Sequence, residues 1–442
     1  MKYRMLKPIE VVVAEILEYV ERERISLRLA MEQYFQANKN LQPIRGIARA
    51  FSLAVLRNYR LLDEICAEYL GLRPKNLSLF KRNLLRAIVY ETAFREVEYR
   101  RVKKCIKYLK IRSNVFTRKI FNEIREVDPD CLVKKYRGIE RLAVRYSEPT
   151  WVVRRLMKLL GMDETIKILR SLNSQLPLWL RVNTLKVNPS ELCRRLRKHG
   201  LDATLDPDLP DVIKISKIGV SLKRLPEYRN NLFYIQNKAS ILVGHVLAPK
   251  PCEKILDMCA APGSKATHLA QLSNFKAHLT AADISYTRLR FLQNYVRCFN
   301  IINIDILVAD SRFQIYRGCF DKILVDPDCS SLGLLNHSPE IRLWIDEKFI
   351  HVYSSMQRRL LEAALKMIKK NGVITYSTCT FTTEENELIF KEIIEYHDNR
   401  VELVEPKPFI GDPGFLGLDK VQRLYPHKHK TIGFTIACFR KL

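Results

Sequence analysis

The sequence predicts an α/β protein whose C-terminal part is a doubly wound parallel sheet of Rossmann-like form. Three observations carry that expectation. From Lys254 onward, short apolar runs alternate strictly with helical patterns. The turns after successive runs hold Asp, Cys and small residues, on the rim where open parallel sheets bind their ligands. The stretch from Lys254 to Lys265 reads as strand, Pro-Gly turn and helix N-terminus, a unit that brings backbone N–H groups close to a ligand. The Gly-x-Gly-x-x-Gly fingerprint is absent, so a pyrophosphate cofactor is not indicated.

Residues 1–140 read as all-helical. Apolar residues recur at helical spacing through Val11–Val20, Ile47–Leu62 and Leu84–Phe94, with breaks at Pro43, Gly71 to Pro74 and Asp128-Pro129-Asp130. Residues 141–245 read as a mixed α/β connector: a helix from Thr150, a strand over Leu178–Thr184, a helix from Pro189 to Gly200, and short strands at Val212–Ile215 and Phe233–Gln236. Arg181 and Asn183 fall on one strand face, read first as a surface face and second as an RNA contact. In residues 246–442 strands are expected at Ile255–Met258, Leu279–Asp283, Ile306–Asp310, Lys322–Asp326 and Val373–Thr378. Helices are expected to start near Ser264, Ser285, Pro339 and Glu384. Thr431–Phe439 is expected as a last, antiparallel strand at the sheet edge.

Composition narrows the function. With 442 residues the chain has room for two or three domains, and 47% apolar with 28% charged residues excludes wholesale disorder. The net charge of +27 implies a polyanionic partner, nucleic acid ahead of an acidic membrane. Residues 1–146 hold 32 Lys+Arg against 17 Asp+Glu, and so carry 15 of the 27 net charges. The densest run is Arg100, Arg101, Lys103, Lys104, Lys107, Lys110, Arg112, Arg118 and Lys119, without an acid among them. Eleven cysteines without a Cys-x-x-Cys argue against a zinc knuckle and a disulfide framework, and fit reduced thiols. No signal-peptide pattern opens the chain and no apolar run reaches the ~20 residues of a membrane span. The expectation is a cytoplasmic monomer with no metal centre.

The strand ends suggest the chemistry. Asp283 follows the first loop by about twenty residues, the position from which a carboxylate accepts both hydroxyls of a ribose. Asp310 ends the third strand, placed to reach an adenine amine. A ribose and an adenine without a pyrophosphate point to S-adenosylmethionine. Asp326-Pro327-Asp328-Cys329-Ser330-Ser331 ends the fourth strand and Tyr376-Ser377-Thr378-Cys379-Thr380 the fifth, so two thiols leave the sheet on the cofactor's rim. Carbon 5 of cytosine takes a methyl group only after a thiolate adds to C6. The reaction therefore needs a nucleophilic Cys, a base for the second half, and a group facing N3/N4. Asp326 and the two cysteines supply that set, and Lys265 is expected to lower a thiol pKa by its charge. Spacing alone leaves open which cysteine attacks.

These residues resemble the Sun (Nol/Nop/Sun) family of RNA cytosine-C5 methyltransferases. The resemblance runs from about residue 145 to the C-terminus. It rests on Asp257 to Lys265, Asp326 to Ser330, Tyr376 to Cys379 with Glu384-Glu385-Asn386-Glu387, and the upstream Leu180 to Thr184 and Ile235 to Ser240. It implies a class I methyltransferase domain, a ferredoxin/RRM-like connector, and RNA as the partner, ribosomal RNA ahead of transfer RNA. By that resemblance Cys379 is the nucleophile at C6, Cys329 assists release, and Asp326 and Lys265 line the pocket. Cys259, Ala260, Ala261, Pro262, Gly263, Ser264 and Lys265, with Asp283, Asp310 and Asp326, hold the cofactor. The N-terminal helices resemble the NusB-like RNA-binding domain of the bacterial ribosomal RNA member. Four departures stand out: Asp328 where the family has Pro, Ser331 where it has Gly or Ala, Ser264 where it has Gly, and Ile432 where it has Asp. Asp328 is expected to raise the Cys329 thiol pKa. The competing readings are a catalytically silent RNA-binding or ribosome-assembly factor and, behind it, a DNA cytosine methyltransferase.

Overall fold

A computed structural model describes residues 7–110, 115–216, 220–316, 319–398 and 400–442, so Arg112 of the basic run lies outside the described residues. The chain divides into two compact units. One is Met1–Ser174 with Leu335–Glu347; the other is Gln175–Leu334 with Lys348–Leu442.

The first unit is helical. Its helices are α1 (Ile9–Glu23), α2 (Leu27–Ala37), α3 (Arg45–Arg57), α4 (Tyr59–Leu70), α5 (Leu79–Phe94), α6 (Tyr99–Leu109), α7 (Arg118–Arg125), α8 (Pro129–Leu132), α9 (Gly138–Arg145) and α10 (Thr150–Leu172). The apolar run expected over Ile47–Leu62 is split at Asn58, whose side-chain amide donates to the Ala54 carbonyl at 2.9 Å and ends α3. Gly161 interrupts α10 with φ +78, where only glycine is unstrained. Valines, leucines and isoleucines of α1, α4 and α5 form the core.

The segment 335–347 belongs to this unit although its neighbours in sequence do not. Pro339 opens only the five-residue turn Pro339–Leu343, and the helix expected to start near it begins instead at Phe349. The reason is tertiary. Glu340 accepts the Leu27 N–H at 3.0 Å, Arg57 donates to the Asn336 carbonyl at 3.0 Å, and Arg342 pairs with Glu148 at 2.5 Å with both side chains wholly buried.

The second unit holds two sheets. The smaller has the order β2 (Ala203–Leu205), β3 (Val212–Ile215), β1 (Leu178–Val182), β4 (Phe233–Ile235), all antiparallel, with α11 (Pro189–Lys198) and α12 (Pro226–Arg229). After α13 (Lys238–Leu247), β5 (Lys254–Asp257), α14 (Ser264–Leu272), β6 (His278–Asp283), α15 (Tyr286–Phe299), β7 (Ile304–Val308) and β8 (Phe320–Val325) build the larger sheet. α16 (Phe349–Met367) leads into β9 (Ile368–Thr378), and then come α17 (Glu387–His397), β10 (Val401–Val404), β11 (Asp412–Pro413), β12 (Gln422–Leu424), α18 (Pro426–His429) and β13 (Phe434–Lys441). The central order β7-β6-β5-β8-β9 is parallel throughout, so the direction of strand addition reverses at β5. A ligand crevice opens at such a reversal. The α/β class is as expected.

Two expectations are corrected. β13 is antiparallel to β9, but it is not an edge strand, because β12 and β10 both pair with its other side. Its residues from Phe434 to Phe439 are buried on both faces, so the apolar alternation there does not mark an exposed side. The helix expected from Glu384 begins at Glu387, because Glu385 and Asn386 are drawn into the turn that precedes it.

Candidate active site

The site is built on the rim of β5, β6, β8 and β9. β5 ends at Asp257, and the loop from Met258 turns at Gly263, whose φ of +114 and closeness to Leu292 leave no room for a Cβ. The loop is tied across the sheet: Ala260 N–H bonds the Ala282 carbonyl at 2.9 Å, and Ala261 N–H bonds Asp283 Oδ2 at 3.1 Å. Asp283 Oδ1 accepts the Ser285 N–H at 2.8 Å, so each carboxylate oxygen keeps a lone pair for a further donor.

A cleft of about 200 Å³ lies beside this loop. Of the expected residues Cys259, Asp283, Asp310 and Asp326 line it; Ala260 to Lys265 are not among its lining residues. It is also lined by Ile284, Arg288, Ser311, Arg312, Met356 and Leu360, which sequence reasoning missed. Ile284 and Arg288 were findable, as the residue after Asp283 and one turn into α15; Met356 and Leu360 come from α16, which no local signal ties to the cleft. Asp310 is held below the usual carboxylate range by hydrogen bonds from Arg312. Asp257, buried behind the loop, is pushed up to about 7 by burial and then by the charge of Asp326. Ser311 Oγ and Asp257 Oδ2 are buried without a hydrogen-bond partner among the described residues. Carboxylates to accept from ribose hydroxyls and an adenine amine, apolar walls and a free hydroxyl are what a ribose-and-adenine cofactor needs, so S-adenosylmethionine fits.

Lys265 reaches from α14 to Asp326 Oδ2 at 2.6 Å, and Ser377 Oγ donates to Asp326 Oδ1 at 2.6 Å. The Lys265 charge is thus directed at Asp326, not at a thiol. The two expected cysteines do come together: Cys329 Sγ and Cys379 Sγ stand 3.2 Å apart, Cys329 buried and Cys379 partly exposed. Gly333 N–H bonds the Cys379 carbonyl at 2.9 Å, knitting the two cysteine loops. The Cys329 thiol is pushed well above its ordinary pKa by its hydrogen bond with Cys379, then by burial, with Glu385 adding its charge. Asp328 is not the cause expected. Its side chain is 67% exposed and faces the Arg288 guanidinium at 3.6 Å.

Arg181 and Asn183 also depart from expectation, since both are buried. Arg181 donates to Gln236 Oε1, the Ser264 carbonyl and Thr267 Oγ1 and lies over the Tyr234 ring. Asn183 donates to the Asn231 carbonyl. Arg181 therefore ties the small sheet to the first turn of α14 and is closed to RNA. Asp211 makes a second tie, bonding His245 Nε2 at 2.7 Å and His268 Nε2 at 2.9 Å. His268 Nδ1 is buried against Gly244 without a partner. A metal on Nε2 would force the proton onto that unpartnered Nδ1, so the three residues fit a hydrogen-bonded bridge and not a metal centre.

Fold and cleft together define a class: a Rossmann-like methyltransferase domain behind a small α/β domain. The comparisons agree. Residues 244–440 match the family model described as 16S rRNA methyltransferase RsmB/F, and residues 148–221 match the RsmF/B-like ferredoxin-like domain. The tRNA (cytosine(49)-C(5))-methyltransferase of Pyrococcus abyssi is 32% identical over 59% of this chain and 87% of that protein. The tRNA (cytosine(72)-C(5))-methyltransferase of Pyrococcus horikoshii is 39% identical over 50% of this chain, which spans only 56% of that protein. A probable ribosomal RNA small subunit methyltransferase B of Bacillus subtilis is 26% identical over 97% of both chains. A solved structure, that of PH0851, superposes with a TM-score of 0.82 at 29% identity over 99% of this chain and 100% of that one. The chain belongs to the RsmB/F family of RNA cytosine-C5 methyltransferases.

Proposed function

We propose that the chain is an S-adenosylmethionine-dependent RNA (cytosine-C5)-methyltransferase that makes 5-methylcytosine through a covalent Cys379–C6 adduct. The observation that carries this reading is the thiol pair at 3.2 Å, whose two loops also carry Asp326, bound to Lys265 and lining the cofactor cleft, and Ser377, which donates to Asp326. S-adenosylmethionine, when bound, supplies the methyl group as an electrophile. Cys379 Sγ adds to C6 as a thiolate, and the electron pair this places on C5 makes the new carbon–carbon bond. The C5 proton then leaves and the C5–H electron pair re-forms the C5=C6 bond and drives out Cys379 Sγ; Cys329, the protonated partner, passes its proton to that departing sulfur and takes up the C5 proton in its place. Asp326, oriented by Lys265 and Ser377, would take the N3/N4 edge of the base. Cys259 to Lys265, Asp283 and Asp310 would hold the cofactor. A base inside a duplex must be flipped out to reach this rim, so the target lies in a loop or junction.

In this reading the chain works as three modules, 1–140, 141–245 and 246–442, and acts as a monomer in the cytoplasm. The first is a NusB-like RNA-binding domain. Supporting this, α6 exposes Arg100, Lys103, Lys104 and Lys107, with Lys110 just beyond, opposite buried Val102, Cys105 and Leu109. Ribosomal RNA is favoured over transfer RNA because a relative matched over 97% of its length is named for the former. The test is methyl transfer from labelled S-adenosylmethionine to ribosomal and transfer RNA, followed by nucleoside analysis. The label is expected in 5-methylcytosine of ribosomal RNA. Binding of RNA with no label in either fraction would overturn the enzymatic reading in favour of a silent assembly factor.

A further inference from the structure

A buried carboxylate that the mechanism above does not use stands behind the thiol pair. Glu385 is wholly buried in the turn between β9 and α17, and four donors converge on it. Oε1 accepts the Ser330 N–H at 2.8 Å and Gln357 Nε2 at 3.1 Å; Oε2 accepts the hydroxyls of Ser330 and of Thr382, the latter at 2.6 Å. Ser330 is the residue after Cys329, and Thr382 lies three residues after Cys379. Ser330 Oγ also meets Thr380 Oγ1 at 2.7 Å, and Gln357 on α16 gives its second hydrogen bond to the Asp328 carbonyl at 3.0 Å. Residues flanking both cysteines are therefore fastened to one side chain.

We propose that Glu385 is a positioning residue for the thiol pair, fixing the approach of Cys329 to Cys379 and keeping the shared proton on Cys329. The groups facing Cys329 from each packed element support the second half. Tyr376 on β9 and Tyr353 on α16 both have raised pKa values, chiefly from burial, and so stay neutral. Asp326 is matched by Lys265, and Asp328 faces solvent and Arg288. That leaves Glu385 as the buried carboxylate acting on the thiol, and its charge is among the causes that raise Cys329. A buried negative charge behind Cys329 opposes the thiolate form of that sulfur. That Cys379 is the nucleophile rests on the function proposed above; the suppression of the Cys329 thiolate does not.

Glu385→Gln separates charge from geometry. Its amide oxygen can keep the two N–H donors of Oε1, and its NH2 can donate to the two hydroxyls of Oε2, each of which also accepts. The experiment is iodoacetamide alkylation of the full chain across pH, resolved by cysteine with mass spectrometry, without RNA or cofactor. Glu385→Gln is expected to move the onset of Cys329 alkylation down by about one pH unit, hence about tenfold faster reaction at pH 7, while Glu385→Asp keeps the wild-type onset. An unchanged onset in a folded Glu385→Gln would overturn the charge role. Ser330→Ala tests position independently, should Glu385→Gln not fold. It removes the hydroxyl's ties to Glu385 and to Thr380 and no charge, and is expected to slow Cys329–Cys379 disulfide formation by oxidised dithiothreitol about threefold or more. A wild-type rate would overturn the positioning role. If these shifts appear in a protein that methylates no RNA, the inference stands and the proposed function fails.

Discussion

At the scale of single residues the site is a matter of which charge faces which atom. Asp328 departs from the family pattern and looks damaging when read from the sequence, because it adjoins Cys329. In the fold it lines the cleft, largely exposed, and faces Arg288 there, where water screens it. Asp328→Asn is therefore expected to change the Cys329 alkylation rate by less than about threefold at pH 8, within the weak range of exposed charges. A change of tenfold or more, read by mass spectrometry, would return Asp328 to the role first expected of it. The same contrast governs Arg181. An arginine on a short strand reads as a surface cation, because what buries it comes from α14, over eighty residues away in sequence. Cys329, Cys379, Asp283 and Asp326 were legible as candidates, since their residue types at the ends of strands suit the proposed chemistry. The part played by Glu385 was not, because its four partners come from separate loops and a helix.

At the scale of elements the parallel sheet was legible and its border was not. β5, β6 and β8 are short apolar runs bounded by turns, a pattern that buried parallel strands share. The neighbours of β13 are short strands set in irregular chain, and nothing local encodes that pairing. Packing between elements also sets a pH response. Burial lowers His268 from 6.5 to about 4, against the opposing bond to Asp211. Burial alone would raise Asp211, but the bonds from His245 and His268 hold it well below its usual range. A folded pKa below the unfolded one means the unfolded chain takes up the proton first. The stability from His268 is thus whole above about pH 6.5 and is lost as pH falls toward 4. Denaturant unfolding at pH 7 and pH 5 is expected to show a loss of about 2 kcal/mol from this group, reduced to less than half in His268→Gln. An equal loss in both proteins would place the acid sensitivity elsewhere.

At the scale of the whole chain, the sequence order of segments and their membership of the two units differ. Residues 335–347 follow the Cys329 loop yet fold into the helical unit, held by the buried Arg342–Glu148 pair. Breaking a buried pair from one side leaves an uncompensated charge, so Arg342→Met is expected to destabilise that unit by about 3–5 kcal/mol. Burial already raises Glu148 to about 7 against the pull of Arg342. A carboxyl raised in the fold favours the folded state below its unfolded pKa, and that benefit is lost as pH rises. The variant should therefore lose more stability at pH 8 than at pH 6. Adding Glu148→Gln to Arg342→Met should restore most of it; no recovery in thermal melts would contradict the account of the pair.

The claim that joins these scales is that Cys379 attacks the base and Cys329 completes the reaction. It is tested most directly by incubating Cys329→Ala with S-adenosylmethionine and total RNA, then separating the products under denaturing conditions. The account predicts a protein–RNA species that survives denaturation, disappears on ribonuclease digestion of its RNA portion, and does not form when Cys379→Ala is added to the same chain. A covalent species that persists without Cys379, or that forms in Cys379→Ala and not in Cys329→Ala, would reverse the two roles and contradict it.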